Sequence, residues 1–240
     1  MSYEPQTLSF AAYRANADRY GYIATWCIWD EVSKRGPEMV TATDEAAFVS
    51  MGLAGTLHSD VVILGLNYGT SAPWAAEEEA IECSTARLEQ ITAGEMFANM
   101  YRAMRPYYAP VFRGTALWGA YATDFFKFTC GQQATDLPAG VPSRDGSGIP
   151  PFYFSTEGID LQVQGLRAEL ATIGAPGDPT FVLASSKLRG SAATALRKAF
   201  PGCRLAEIHH YKFPNPALLR EVLPSQVAAA DRIARRLEQS

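Results

Sequence analysis

The stretch DVVILGL, residues 60–66, decides the fold class of this 240-residue chain. It is a short apolar run rich in β-branched residues, and it lacks the alternation of a strand that has one face in water. Such a run is typical of a strand covered on both faces, as in a parallel sheet. The polar stretch that follows, NYGTSAP at residues 67–73, predicts a loop at the end of this strand.

Strands and helices alternate in the last third of the chain. We expect helices over 158–173, 191–200 and 218–237, separated by strands over 180–184 and 204–209, and an earlier buried strand over 116–128. Short strand–helix–strand units imply right-handed crossovers and a parallel sheet. The sequence therefore predicts one α/β domain over residues 1–240, with three layers and a central, mostly parallel sheet flanked by helices.

The first 56 residues or so are expected to form an extra helical segment. Apolar residues recur at a helical period over 7–34, and Gly36-Pro37 ends that region. A second short helix fits 43–54, with Thr43 or Asp44 as its N-cap. Residues 130–152, rich in Gly, Pro, Ser and Asp, predict a long loop.

Composition and motifs exclude several classes of protein. With 48% hydrophobic and 19% charged residues, the chain is expected to fold rather than stay disordered. Its four cysteines are isolated, which argues against a metal held by cysteine and favours a reducing, cytoplasmic location. No secretory leader or membrane span is visible, and phosphate-binding glycine loops are missing, so no membrane partner, metal or cofactor is expected.

Charge is unevenly distributed along the chain. The total is −4, but residues 181–240 carry ten Lys or Arg against four Asp or Glu, a net of +6. A positive C-terminal quarter can meet a phosphate backbone. An alternative explanation is that the basic residues simply line the solvated face of the last helix. This explanation suits Arg232, Arg235 and Arg236 better than Lys187, Arg189 and Lys212.

Polar side chains follow three of the predicted strands. Asn67 follows the first, Asp124 with Lys127 ends the second, and the pair His209-His210 follows the last. In an open parallel sheet, ligands bind at the carboxyl ends of the strands, so these remote residues are expected at one edge. Each also has a plain structural explanation, as a turn residue, a helix cap or ion-pair partner, and an ordinary histidine respectively.

The first two strand ends resemble motifs of the uracil-DNA glycosylase superfamily. VVILGLNYG, residues 61–69, is similar to the apolar strand and G-[IM]-N-P-G turn of its mismatch-specific and single-strand-selective branches, although Tyr68 replaces the proline. YATDFFKF, residues 121–128, resembles the family's T-N-hydrophobic-hydrophobic-K strand. There Thr123 and Lys127 match, and Asp124 replaces the asparagine.

The third strand end shares less with that family. HHYKFPNP, residues 209–216, matches its H-P-S-P segment in the histidine alone. The order of the elements nevertheless agrees over residues 58–235: motif, second strand, helix, strand, helix, last strand, histidine and final helix. The N-terminal residues lie outside the resemblance.

The resemblance implies a DNA-repair hydrolase, an N-glycosylase that flips uracil or a related deaminated base and hydrolyses its N-glycosidic bond. Asn67 would position the water, and His210 or else His209 would donate a hydrogen bond to the leaving base. The implied base-binding residues are Gly65, Leu66, Tyr68, Gly69, Asp124 and Phe125. The implied DNA-binding residues are Lys187, Arg189, Lys212 and the wedge Phe213. The expected partner is uracil-containing DNA, bound by a monomer.

Asp124 is the departure that matters most for specificity. An asparagine both accepts and donates hydrogen bonds at the edge of uracil, whereas an ionised aspartate only accepts and repels O4. Either burial keeps this carboxyl protonated, or the specificity differs, or the alignment is shifted by a residue. Two other functions stay open: a catalytically weak protein of the same fold that binds DNA or a modified base, and an α/β enzyme acting on a small nucleotide.

Overall fold

The computed structural model describes residues 8–21, 24–29, 42–67, 105–126, 154–210 and 215–235, with Asn67, Arg105 and Pro106 described by backbone alone. The strands are β1 Thr25–Trp26, β2 His58–Asn67, β3 Ala120–Phe126, β4 Thr180–Leu183 and β5 Arg204–Glu207. The helices are α1 Phe10–Tyr20, α2 Glu45–Ser50, α3 Leu53–Thr56, α4 Arg105–Phe112, α5 Thr156–Thr172, α6 Ser191–Ala199 and α7 Pro216–Arg235. A 3₁₀ turn spans Ser186–Leu188.

The five strands form one sheet in the order β1-β3-β2-β4-β5. Strands β2 to β5 are mutually parallel where they pair, and only β1 runs antiparallel, against β3. The register sets Leu64, Leu183 and Glu207 side by side across three strands. The predicted α/β fold with a mostly parallel sheet is therefore confirmed.

Both faces of the sheet are covered by helices, which explains the unbroken apolar run in β2. Val62 and Leu64 pack toward α1, α5 and α6, whereas Val61 and Ile63 pack toward α4 and α7. Successive side chains of a strand point to opposite faces of the sheet. When both faces are buried, the odd-numbered and the even-numbered positions of the strand must therefore both be apolar. The result is a three-layer arrangement with the sheet in the middle.

The N-terminal region differs from the expected helix over 7–34. Helix α1 ends at Tyr20, and β1 instead adds to the sheet, with Trp26 opposite Tyr121. The apolar residues of this segment fit an alternating pattern as well as a helical one, so their spacing does not discriminate. The Cys27 N–H donates to the Ala120 carbonyl at 2.8 Å, and the two rings of Trp26 and Tyr121 meet edge-on with centroids 4.9 Å apart. Pairing with β3 therefore decides the conformation.

Two further boundaries also shift. The expected helix over 43–54 is divided in two, because Gly52 adopts a left-handed φ of 68° between α2 and α3. Asp44 is the N-cap, and its carboxylate accepts from the Ala47 N–H at 2.8 Å. The strand expected from residue 116 begins only at Ala120. The remaining predicted strands and helices begin and end within two residues of their observed bounds, and the loop predicted over 130–152 lies outside the described residues.

Candidate active site

The carboxyl ends of four parallel strands meet at one edge of the sheet. Strands β2 and β5 are separated by β4 alone, so the two strands run about 10 Å apart, given a strand spacing of ~4.8 Å. The backbone of Asn67 ends β2, and His209 and His210 follow β5 after one intervening residue, Ile208. Asp124 lies near the end of β3, on the other side of β2. The topology therefore brings these three strand ends to the same edge.

Gly65 and Asp124 are cross-strand partners, and the glycine makes room for the acid. Asp124 is only 4% exposed, and it lies inside β3, so it does not cap a helix. A Cβ added to Gly65 would clash with Asp124 Oδ1 and would lie 3.3 Å from its Cγ. The carboxyl group therefore occupies the space of the side chain that Gly65 lacks, on the α4 and α7 side of the sheet.

Hydrogen bonds to two helices hold His209 in place. Its backbone N–H donates to Gln226 Oε1 at 2.8 Å, and its ring Nδ1 lies 2.8 Å from Gln226 Nε2. Its carbonyl accepts from the Tyr108 hydroxyl, also at 2.8 Å. Helices α7 and α4 supply these two partners, so both helices fix His209 at the end of β5. Both His209 and His210 are half-buried.

The sequence reasoning missed Gln226 and Tyr108. Nothing in the local sequence marks the glutamine, because this residue type is common on the solvated faces of helices. Tyr108 is spaced four residues from Phe112 and stacks on it, which is a core pattern rather than a site pattern. Both contacts depend on the tertiary arrangement alone.

Two of the predicted DNA-binding residues lie at the same edge, at the end of β4. Arg189 follows the 3₁₀ turn, and its Nε lies 2.8 Å from Glu207 Oε2, with both side chains nearly half exposed. Lys187 is exposed in that turn. An exposed ion pair of this kind stabilises the fold by about 1 kcal/mol or less. A phosphate could therefore replace Glu207 as the partner of the Arg189 guanidinium at little cost.

The other predicted base-binding residues divide into two groups. Leu66 and Phe125 are buried in the core on the α1, α5 and α6 side, where the Phe125 ring meets Phe126 edge-on at 5.0 Å. That is the face of the sheet opposite to Asp124. The remaining predicted site residues lie outside the described part of the chain: Tyr68, Gly69, Lys127, Lys212 and Phe213. Their roles stay predictions.

The third histidine lies at the opposite edge. His58 begins β2, its Nε2 is 3.2 Å from the Trp118 carbonyl oxygen, and burial lowers its pKa to about 4. It is therefore a neutral, buried structural residue at neutral pH. Within the described ranges, no cluster of three or more His, Cys, Asp or Glu residues is arranged to hold a metal ion. Over the same ranges, no helix combines the length and apolarity needed to cross a membrane.

Comparisons with known proteins add no relative. No protein-family model, no curated protein and no solved structure matches the chain.

Proposed function

We propose that this protein is a DNA glycosylase of the uracil-DNA glycosylase type, which flips uracil or a related deaminated base out of DNA and hydrolyses its N-glycosidic bond. The observation that carries the proposal is the shared carboxyl edge of the sheet, where β2 ends at Asn67 and His209 follows the end of β5. The order β2, β3, α5, β4, α6, β5, histidine and α7 is also the motif order of that family.

The chemistry needs two groups on opposite sides of the breaking bond. As the bond from C1′ to the base breaks, the sugar gains positive charge and the base gains negative charge. The Asn67 amide orients the water that adds its oxygen to C1′, and a histidine N–H stabilises the oxygen anion of the leaving base. The departing base finally takes up a proton, so water supplies both the hydroxyl on the sugar and the hydrogen on the base.

Contacts to the DNA backbone follow from the basic residues near this edge. Lys187 and Arg189 lie on the turn after β4, beside the end of β5. We assign them to phosphates that flank the flipped nucleotide, with Lys212 as a further phosphate contact and Phe213 as the wedge in the duplex. The same proposal includes action as a monomer in the cytoplasm.

The buried Asp124 decides which base is preferred. Its carboxyl lies against Gly65 near the site edge, and an aspartate accepts where the family's asparagine both accepts and donates. When ionised, it favours a base edge that presents N–H or NH₂ groups. When protonated, it restores the donor that uracil O4 needs. Uracil excision that rises in Asp124→Asn would show that the native carboxyl opposes uracil.

The test is excision from defined oligonucleotides. Purified protein is incubated with single- and double-stranded DNA that contains uracil, hypoxanthine or xanthine, followed by alkaline cleavage of the abasic sites. Asn67→Ala should lower excision about a hundredfold or more, the usual loss when one transition-state group is removed, while DNA binding changes little. Gln164→Ala, an exposed amide on α5, is the matched control and should excise at the parental rate. Equal excision by Asn67→Ala and the parent would refute the role of Asn67.

A second candidate is a protein of the same architecture that binds DNA or a modified base without cleaving it. This candidate is favoured by Asp124, which stands where the family's motif has the asparagine that hydrogen-bonds to the base. A gel shift with modified DNA and no abasic product from any tested base would support it against the glycosylase. Activity on a free nucleoside that does not change with salt would instead favour an enzyme of small nucleotides, because phosphate-backbone binding weakens steeply with salt.

A further inference from the structure

We infer that Gln226 is a positioning residue, which fixes the neutral ring of His209 in the tautomer that carries its proton on Nε2. This inference rests on the proposed function in one respect: it makes His209, rather than His210, the donor to the leaving base. The assignment of the tautomer itself depends only on the geometry.

One amide group contacts both ends of the same residue. Gln226 Oε1 accepts from the His209 backbone N–H at 2.8 Å, and Gln226 Nε2 lies 2.8 Å from His209 Nδ1. A backbone N–H can only donate, so the oxygen of the amide must face it. The opposite orientation of the amide would set its NH₂ group against the backbone N–H, two donors facing each other.

The orientation of the amide then determines the state of the ring. Because the NH₂ group of Gln226 can only donate, His209 Nδ1 must accept. A neutral imidazole has one acceptor nitrogen and one N–H, so the proton of His209 is on Nε2.

Neighbouring contacts hold the residue in this position. The Tyr108 hydroxyl donates to the His209 carbonyl at 2.8 Å, and the preceding Ile208 N–H donates to the Leu183 carbonyl at 3.1 Å. The backbone on both sides of the ring is thus tied to α4 and β4, while α7 supplies Gln226. A donor held in this way needs little reorganisation when negative charge develops on a bound base.

The position of the proton decides whether Nε2 of His209 attracts or repels the negative charge that develops on the leaving base. With the proton on Nε2, the neutral ring offers an N–H to a developing anion. With the proton on Nδ1, the same ring offers a lone pair at Nε2 and repels that anion. Gln226 therefore selects the useful tautomer without touching the substrate.

The tautomer is measured directly by NMR. In ¹⁵N-labelled full-length protein near pH 8, long-range ¹H–¹⁵N correlations distinguish the two tautomers of a neutral imidazole. His209→Gln identifies the signals of His209. We expect the wild-type ring to show a protonated Nε2, and Gln226→Glu to move the proton to Nδ1, because a carboxylate accepts from both the backbone N–H and Nδ1–H. Gln164→Glu, the same change at an exposed position of α5, should leave the ring unchanged.

Activity is measured on the same variants. Gln226→Glu should lower kcat for excision about a hundredfold or more, with KM for DNA little changed, since one donor to the leaving base is lost. A wild-type His209 ring protonated on Nδ1 would overturn the inference, whatever the Gln226→Glu variant shows. A tautomer that switches in Gln226→Glu while excision stays at the parental rate would remove His209 from catalysis. Protonated Nε2 in a protein that excises no base would refute the proposed function and leave the tautomer assignment standing.

Discussion

Protonation of His58 should be a major cause of acid destabilisation in this protein. The residue is 8% exposed at the start of β2, with Nε2 3.2 Å from the Trp118 carbonyl oxygen. Its Nδ1 has no hydrogen-bond partner among the described residues. Burial lowers its pKa from 6.5 to about 4, an effect that the carbonyl oxygens of Trp118 and Ala116 only partly offset.

The sign and size of the effect follow from proton linkage. Between pH 6.5 and about 4, His58 binds a proton in the unfolded chain but not in the folded one, so the free energy of unfolding falls as the pH falls. Each pKa unit corresponds to ~1.4 kcal/mol, so the full difference amounts to about 3 kcal/mol. Asp60 acts in the opposite direction, because burial and the nearby Asp178 raise its pKa and the folded state keeps its proton more readily.

Comparison with His58→Gln separates these contributions. Glutamine keeps an N–H donor for the Trp118 carbonyl and does not titrate. Urea unfolding of both proteins, from about pH 7.5 to about pH 4, gives the difference in their free energies of unfolding at each pH. We expect that difference to shift by about 3 kcal/mol in favour of the variant as the pH falls, since Asp60 contributes equally to both proteins. Parallel curves for the two proteins over this range would refute a buried, neutral His58.

Three further changes test the edge of the sheet and the core. Gly65→Ala should destabilise the fold by about 1–3 kcal/mol in urea unfolding, because the new methyl group clashes with Asp124 Oδ1; unchanged stability would contradict that packing. Tyr121→Phe removes the hydroxyl that donates to the buried Glu169 at 2.8 Å. It should lower the free energy of unfolding, measured in urea at neutral pH, by about 1–3 kcal/mol. Arg189→Gln should lower the slope of log affinity against log salt for DNA by about one, and an unchanged slope would exclude a phosphate contact.

The last third of the chain was predictable because its signals are local. Helices α5, α6 and α7 each carry apolar residues at a helical period. Strand β4 is a short buried segment between α5 and α6, and the short strand β5 lies between α6 and α7. The lack of alternation in DVVILGL indicated burial on both faces, and two separate core clusters do cover those faces. Parallel pairing then followed from the short crossover connections.

The N-terminal region was not predictable in the same way. The apolar residues Ala24, Trp26 and Ile28 satisfy two periods at once, and all three are buried. Only the free edge of β3, which offers hydrogen-bonding groups to a neighbouring strand, selects the extended form. A contact between residues almost a hundred positions apart therefore determined this local structure.

The amino-acid sequence by itself determined the layered α/β class and placed Asn67 and the histidine pair after strands of the same sheet. Both follow from hydrophobic periodicity and the order of the elements, which depend on residues close together in the sequence. Only the tertiary structure decided that Gly65 leaves room for the Asp124 carboxyl and that Gln226 binds both the backbone and the ring of His209. These contacts join separate elements, and their geometry depends on how helices and strands pack rather than on any local pattern of residue types.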